Sequence, residues 1–179
     1  PWPRFLAEGL LPLRRASFNA ALFPRATFAR HGLPLADMFI WGEDTEFTLR
    51  ITRDAPGYLV GAAKIVHVRD LPGPLDIRTE TEPARISYHR YLKRNRIFIM
   101  RQNTRALSVL RQLVREAAIA LQLLARLQVR KAWIVASATV EGLFFNPRPQ
   151  PADARLDMAG VRTFGPTDAP QTPAPRVRA

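Results

Sequence analysis

Apolar and polar positions along the chain fall into two regimes that meet near residue 83. Up to that point the runs are short and punctuated. Ala16–Leu22 alternates, with Phe18 and Ala20 on one side and Asn19 on the other, and predicts a short strand. Pro24 suits the first turn of a brief helix, and Gly32-Leu33-Pro34 ends it. Phe39-Ile40-Trp41 is an apolar run broken by Gly42. From Glu43 to about Ala55, Phe47, Ile51 and Ala55 recur at helical spacing, Glu46 reaches Arg50 at i,i+4, and Pro56-Gly57 stops the helix. Tyr58–Val60 and Lys64–Val66 read as strands joined through Gly61 and two alanines. Beyond residue 83 the pattern is helical throughout. Ala84 to Arg130 holds neither glycine nor proline and predicts two helices with a joint near Gln102–Thr104. A further helix covers Lys131–Val140 and loses order near Gly142, and the Pro-rich stretch from about Asn146 is expected to be disordered.

The expected organisation is α/β for residues 1–83, a basic α-helical extension over 84–145, and a tail over 146–179. At 179 residues, 47% hydrophobic and 23% charged, the chain has globular composition. It has no cysteine, which removes disulfides, thiolate nucleophiles and Cys-zinc sites, and fits a reducing compartment. The apolar stretches Ala117–Ala125 and Ala132–Val140 are shorter than the roughly 20 residues that cross a bilayer.

The net charge of +12 changes the picture once it is located. Residues 1–83 balance ten bases against ten acids, whereas Arg85–Lys131 carries twelve bases and one acid, Glu116. Such a run has three readings: a solvated helix face, an attachment to anionic membrane, or a nucleic-acid patch. No recognisable nucleic-acid-binding module accompanies it, so the membrane reading is preferred and no nucleic acid is expected.

Candidate chemistry concentrates in Phe39-Ile40-Trp41-Gly42-Glu43-Asp44-Thr45-Glu46-Phe47. Three carboxylates stand at the mouth of a helix, where unpaired N–H groups and the dipole favour negative charge. Acids in a first turn are also ordinary caps, so spacing alone leaves the matter open. His67 follows a strand candidate, where an imidazole can ligate a divalent metal or serve structure alone. His31 and His89 stand near nothing that suggests ligation. On the first basic helix Tyr88, Tyr91 and Asn95 share a face, with Arg94 adjacent; that face is either an acceptor contact or a packing surface.

Taken together, Ser17-Phe18-Asn19-Ala20-Ala21-Leu22-Phe23, Gly32-Leu33-Pro34, the 39–47 segment, Leu49-Arg50, Gly57-Tyr58, His67 and Tyr88–Asn95 resemble the second half of family 2 glycosyltransferases. The likeness is nearest to bacterial rhamnosyl- and galactofuranosyltransferases and spans roughly residues 16–100. It implies the acceptor-side half of a GT-A domain acting on a cell-surface polysaccharide or lipid-linked precursor. By position it makes Asp44 the base on the acceptor hydroxyl, Glu43 its acidic neighbour and Trp41 the floor of the acceptor site, with Glu46, Tyr88, Tyr91, Arg94 and Asn95 around it. His67 becomes a ligand of Mg²⁺ or Mn²⁺. The implied partners are a nucleotide sugar and a glycan or polyprenyl-linked acceptor, and the implied location is the cytoplasm, peripheral on the inner face of the membrane. Two departures stand out. Ala20 replaces the family's usual glycine, and no Asp-x-Asp or nucleotide-binding βα unit precedes Ala16. The chain therefore reads as a fragment, inactive alone, whose metal site needs the Asp-x-Asp of the other half. The competing reading is a basic helical module that binds nucleic acid or anionic membrane without catalysis. The enzyme reading expects the Asp44 and His67 side chains to face one cleft, roughly 6–12 Å apart.

Overall fold

A computed structural model describes residues 9–67 and 75–153. The described elements are β1 (Leu10–Leu13), α1 (Arg25–His31), α2 (Glu43–Ile51), β2 (Gly57–Val60), α3 (Pro83–Asn103), α4 (Ala106–Ala125) and α5 (Val129–Phe144), with 3₁₀ turns at Phe18–Ala20 and Ala36–Met38. The fold is thus mixed α and β but mostly helical.

Several elements depart from the sequence pattern for local reasons. The expected strand at Ala16–Leu22 is a 3₁₀ turn, because the Ser17 hydroxyl accepts the Asn19 N–H and closes the chain on itself. Gly57–Val60 does form a strand, but its antiparallel partner is Leu10–Leu13, with Leu10 opposite Val60 and Leu13 opposite Gly57. Lys64–Val66 is not a strand; it lies exposed beyond β2, and Val66 is 90% exposed. Helix α2 ends at Ile51 rather than Ala55, since Pro56 biases its predecessor away from helical torsions and the Thr52 hydroxyl turns back to Thr48 O and Arg14 O.

The two helices expected from the glycine- and proline-free stretch are α3 and α4, joined at Thr104-Arg105. Helix α5 runs on through Gly142 to Phe144 instead of fraying there. A Cβ at Gly142 would lie 2.7 Å from Ile97 Cβ and 2.8 Å from the Arg94 carbonyl. The glycine therefore marks a close approach of α5 to α3. The chain after α5 is also more tied down than its prolines suggest: Arg101 Nη1 donates to Gly142 O and Phe145 O, and Leu33 N donates to Gln150 O at 2.8 Å. The remainder of the Pro-rich tail, 154–179, lies outside the described residues.

The core is divided. Ile77, Leu123, Ala132 and Val135 close the helical part, while Leu35, Met38 and Phe98 join the loop before α2 to α3. Phe18, Phe23 and Phe28 surround the fully buried Phe47 with ring centroids 5.2–5.8 Å from it. Polar groups are buried among these clusters. Lys93 Nζ meets Glu116 Oε2 at 2.6 Å between α3 and α4, and Gln112 Nε2 donates to the other Glu116 oxygen.

Candidate functional site

The segment Met38–Gly42 leads into α2 through an unusual backbone path. Phe39 has φ 60° and ψ −66°, and Ile40 N donates to Met38 O at 2.7 Å. This is a γ-turn of the rare, strained kind. Trp41 follows at φ 61°, and Gly42 at φ 130°. A side chain on Gly42 would meet Asn95 Cβ at 3.2 Å, so both torsion and space call for glycine. Two non-glycine residues in such torsions cost on the order of 1–3 kcal/mol each, and they persist only where the surroundings hold them.

Asn95 is what holds them. Fully buried on α3, its amide nitrogen donates toward Met38 O, Ile40 O and Trp41 O at 2.9, 3.2 and 3.3 Å. Its oxygen accepts from Arg94 Nε and Nη2, and Arg94 also donates to Asp37 O and Glu141. The Arg94 guanidinium stacks 3.8 Å from the Phe145 ring centroid. The polar atoms of Arg94 and Asn95 are thus occupied by the protein itself: they position the loop and do not face an acceptor. Glu46 is similar. It is buried in a two-pronged pair with Arg50 Nε and Nη2, and Arg50 Nη1 and Nη2 also donate to His31 O and Leu33 O. Asn95→Leu is expected to cost about 2–3 kcal/mol in urea unfolding, because three loop carbonyls and Arg94 lose a partner together; an unchanged midpoint would mean the loop holds without it.

The loop places Trp41 and Asp44 on the wall of an open cavity of about 600 Å³. Arg15, Arg96 and Arg115 also line it, with Leu92, Ile99 and Met100 from α3 and Gln112 from α4. Asp44 Oδ1 accepts the Thr45 N–H at 2.6 Å. Among the described residues Oδ2 has no partner. Glu43, next along, has a buried carboxyl oxygen, Oε2, without a hydrogen bond. Burial raises the Glu43 carboxyl above the usual range and the Asp44 charge adds to this, while backbone N–H bonds partly oppose it. The pair is therefore asymmetric: Glu43 is the carboxyl that burial holds above its ordinary range, and Asp44 stands on the cavity wall.

Tyr88 and Tyr91 back the loop rather than line the cavity. Phe39 packs 5.9 and 5.0 Å from their rings, and Trp41 lies 6.1 Å from Tyr88. Beneath Trp41, at 5.4 Å, is the fully buried His89, with both ring nitrogens lacking a hydrogen-bond partner. Burial lowers its pKa to about 4, and the Lys93 charge adds to that effect while Glu80 opposes it. Because the folded value lies below the ordinary 6.5, the unfolded chain takes up the proton first. Stability contributed by neutral His89 is present above pH 6.5 and is lost as pH falls toward 4, a change of about 3 kcal/mol. His89→Phe should remove that acid dependence between pH 6.5 and 4, read as the difference from wild type in denaturant titrations; parallel curves would refute it.

The expectation that Asp44 and His67 face one cleft is not met: His67 is not among the residues lining the cavity that Asp44 borders, but is exposed and sits against Asn19. The Asn19 amide nitrogen lies 3.1 Å from His67 Nδ1, at hydrogen-bond distance. Two residues of the resemblance meet here, but that ring nitrogen is engaged. Among the described residues no group of three or more His, Asp or Glu side chains could hold a metal. A single engaged imidazole does not by itself make a Mg²⁺ or Mn²⁺ site.

Sequence reasoning reached Trp41 and Asp44 but missed Arg15, Arg96 and Arg115. The excess of bases was visible, yet which arginines turn to the cavity depends on how α3 and α4 are phased against the loop. No protein-family model matches the chain, and comparison with curated proteins and with solved structures finds no match.

Proposed function

We propose that this chain is the acceptor side of an inverting glycosyltransferase of GT-A type, with Asp44 as the base. The observation that carries the reading is the strained, Asn95-held loop, which sets an indole and a carboxylate with one unpartnered oxygen on the same cavity wall. Strain kept at a cavity is a recognised mark of functional sites. In the proposed step, the acceptor hydroxyl oxygen bonds to the anomeric carbon of the donor as Asp44 takes its proton. The bond to the nucleoside diphosphate breaks on the opposite face, and its electron pair leaves with the phosphate. Trp41 offers an apolar face for a sugar ring. Arg15, Arg96 and Arg115 supply positive charge suited to phosphate, on the leaving group or on a lipid-linked acceptor.

The donor, of rhamnose or galactofuranose type, needs a nucleotide-binding half beside this one. The test is therefore made on a protein in which such a half accompanies this chain, supplied with radiolabelled nucleotide rhamnose or galactofuranose and a glycan or polyprenyl-linked acceptor. The expected product carries the anomeric configuration opposite to the donor's. Retention of configuration, or bound donor without transfer, would count against the reading.

A further inference from the structure

Helix α4 buries one face and leaves the other uncovered. Inward lie Glu116 and Leu123, with Ile119 and Ala120 packed beside them. Outward, Leu107, Leu110, Val114, Leu121 and Leu124 are 56, 55, 63, 66 and 46% exposed. At 3.6 residues per turn these five fall within an arc of about 100°. Helix α5 repeats the pattern: Val129, Trp133, Val140 and Phe144 are 61, 71, 56 and 79% exposed and fall within a narrower arc of about 60°. Between the helices stands Leu127, 87% exposed and held at φ 56°, a position that glycine fills by default. Folding gains nothing from a leucine there. Apolar surface left uncovered along two neighbouring helices marks an interaction face.

The charges say what covers it. Arg105, Arg111 and Arg126 are exposed along α4 and have no acidic partner among the described residues; Arg115 is also exposed. The two acids of the α3–α5 block are engaged, Glu116 with Lys93 and Glu141 with Arg90 and Arg94. A second copy would set one arginine rim against another. A nucleic acid would satisfy the arginines and leave the leucines in water. A bilayer with anionic headgroups over acyl chains answers both at once. No described helix is long and apolar enough to cross a membrane, so the contact lies in the interface.

We infer that the exposed face of α4 and α5 docks on anionic lipid membrane, with the leucine stripe and Trp133 below the headgroups and the arginines among them. This is independent of the transferase reading, since it uses neither Asp44 nor the cavity. The test is sedimentation of the full chain with vesicles of phosphatidylglycerol and phosphatidylcholine, and with phosphatidylcholine alone. Binding should be about a hundredfold or more stronger on the anionic vesicles. Leu110→Glu with Leu121→Glu, both at solvent and harmless to the fold, should weaken that binding roughly hundredfold. Arg105→Gln, Arg111→Gln and Arg126→Gln together should weaken it by a similar factor of about a hundred and leave binding to phosphatidylcholine as it was. Brominated acyl chains should quench an emission that disappears in Trp133→Phe. The inference is overturned if the wild type ignores anionic vesicles or if the double glutamate variant binds like wild type. It is equally overturned if the stripe proves to close a homodimer that the glutamates dissolve without vesicle binding, or if duplex DNA binds in preference to lipid.

Discussion

Asp44→Asn is expected to lower sugar transfer by about a thousandfold while donor binding persists, in an assay where a nucleotide-binding half accompanies this chain. The substitution is nearly isosteric. An asparagine oxygen still accepts the Thr45 N–H, as Oδ1 does at 2.6 Å, and the loop above it is held by Asn95 and Gly42. What the amide cannot do is accept a proton from a hydroxyl. Loss of a negative charge in the first turn of α2 costs no more than about 1 kcal/mol, so the variant stays folded. Glu43→Gln should spare most of the rate, because its carboxyl does not line the cavity. Turnover in Asp44→Asn within about tenfold of wild type would exclude a general base at this position.

Lys93→Met is expected to cost about 3–5 kcal/mol, the largest stability loss among single substitutions considered. Lys93 and Glu116 are 7% and 1% exposed in their side chains and 2.6 Å apart. Removing the ammonium leaves a carboxylate in the interior with only Gln112 for company. Removing both charges, as Lys93→Met with Glu116→Leu, should recover most of the loss, since two well-packed apolar side chains need no compensation. Urea unfolding of the two singles and the double decides it. If the singles add up to the double, the pair is not coupled and the interior there is wetter than its burial indicates.

The helical half was the more legible part of the sequence. A stretch without glycine or proline admits little but helix, and its joint near Gln102–Thr104 was marked by polar residues with no apolar phase to keep. The strands were harder. Tyr58–Val60 looked the same whichever strand paired with it, and only long-range contact assigns it to Leu10–Leu13 rather than Lys64–Val66. At the candidate site, the types of residue were readable and their orientation was not. Arg94 and Asn95 share a helix with Tyr88 and Tyr91, but a few tens of degrees of rotation separate a side chain that meets a ligand from one that ties down a loop. Asn95 falls on the second side because Gly42 lets α3 approach within van der Waals distance. Likewise nothing in the spacing of His67 showed that Asn19 would engage its ring.

Gly142 has an effect beyond its own crossing. Because no methyl group stands there, α5 comes close enough to α3 for Glu141 to reach Arg94, and Arg94 in turn grips Asp37 O and the Asn95 amide oxygen. The bearing of the indole at position 41 is thus set in part by an atom that is missing from α5. Altering the spacing of two helices there would be felt as a change of aim at the cavity, with every residue of the cavity still present.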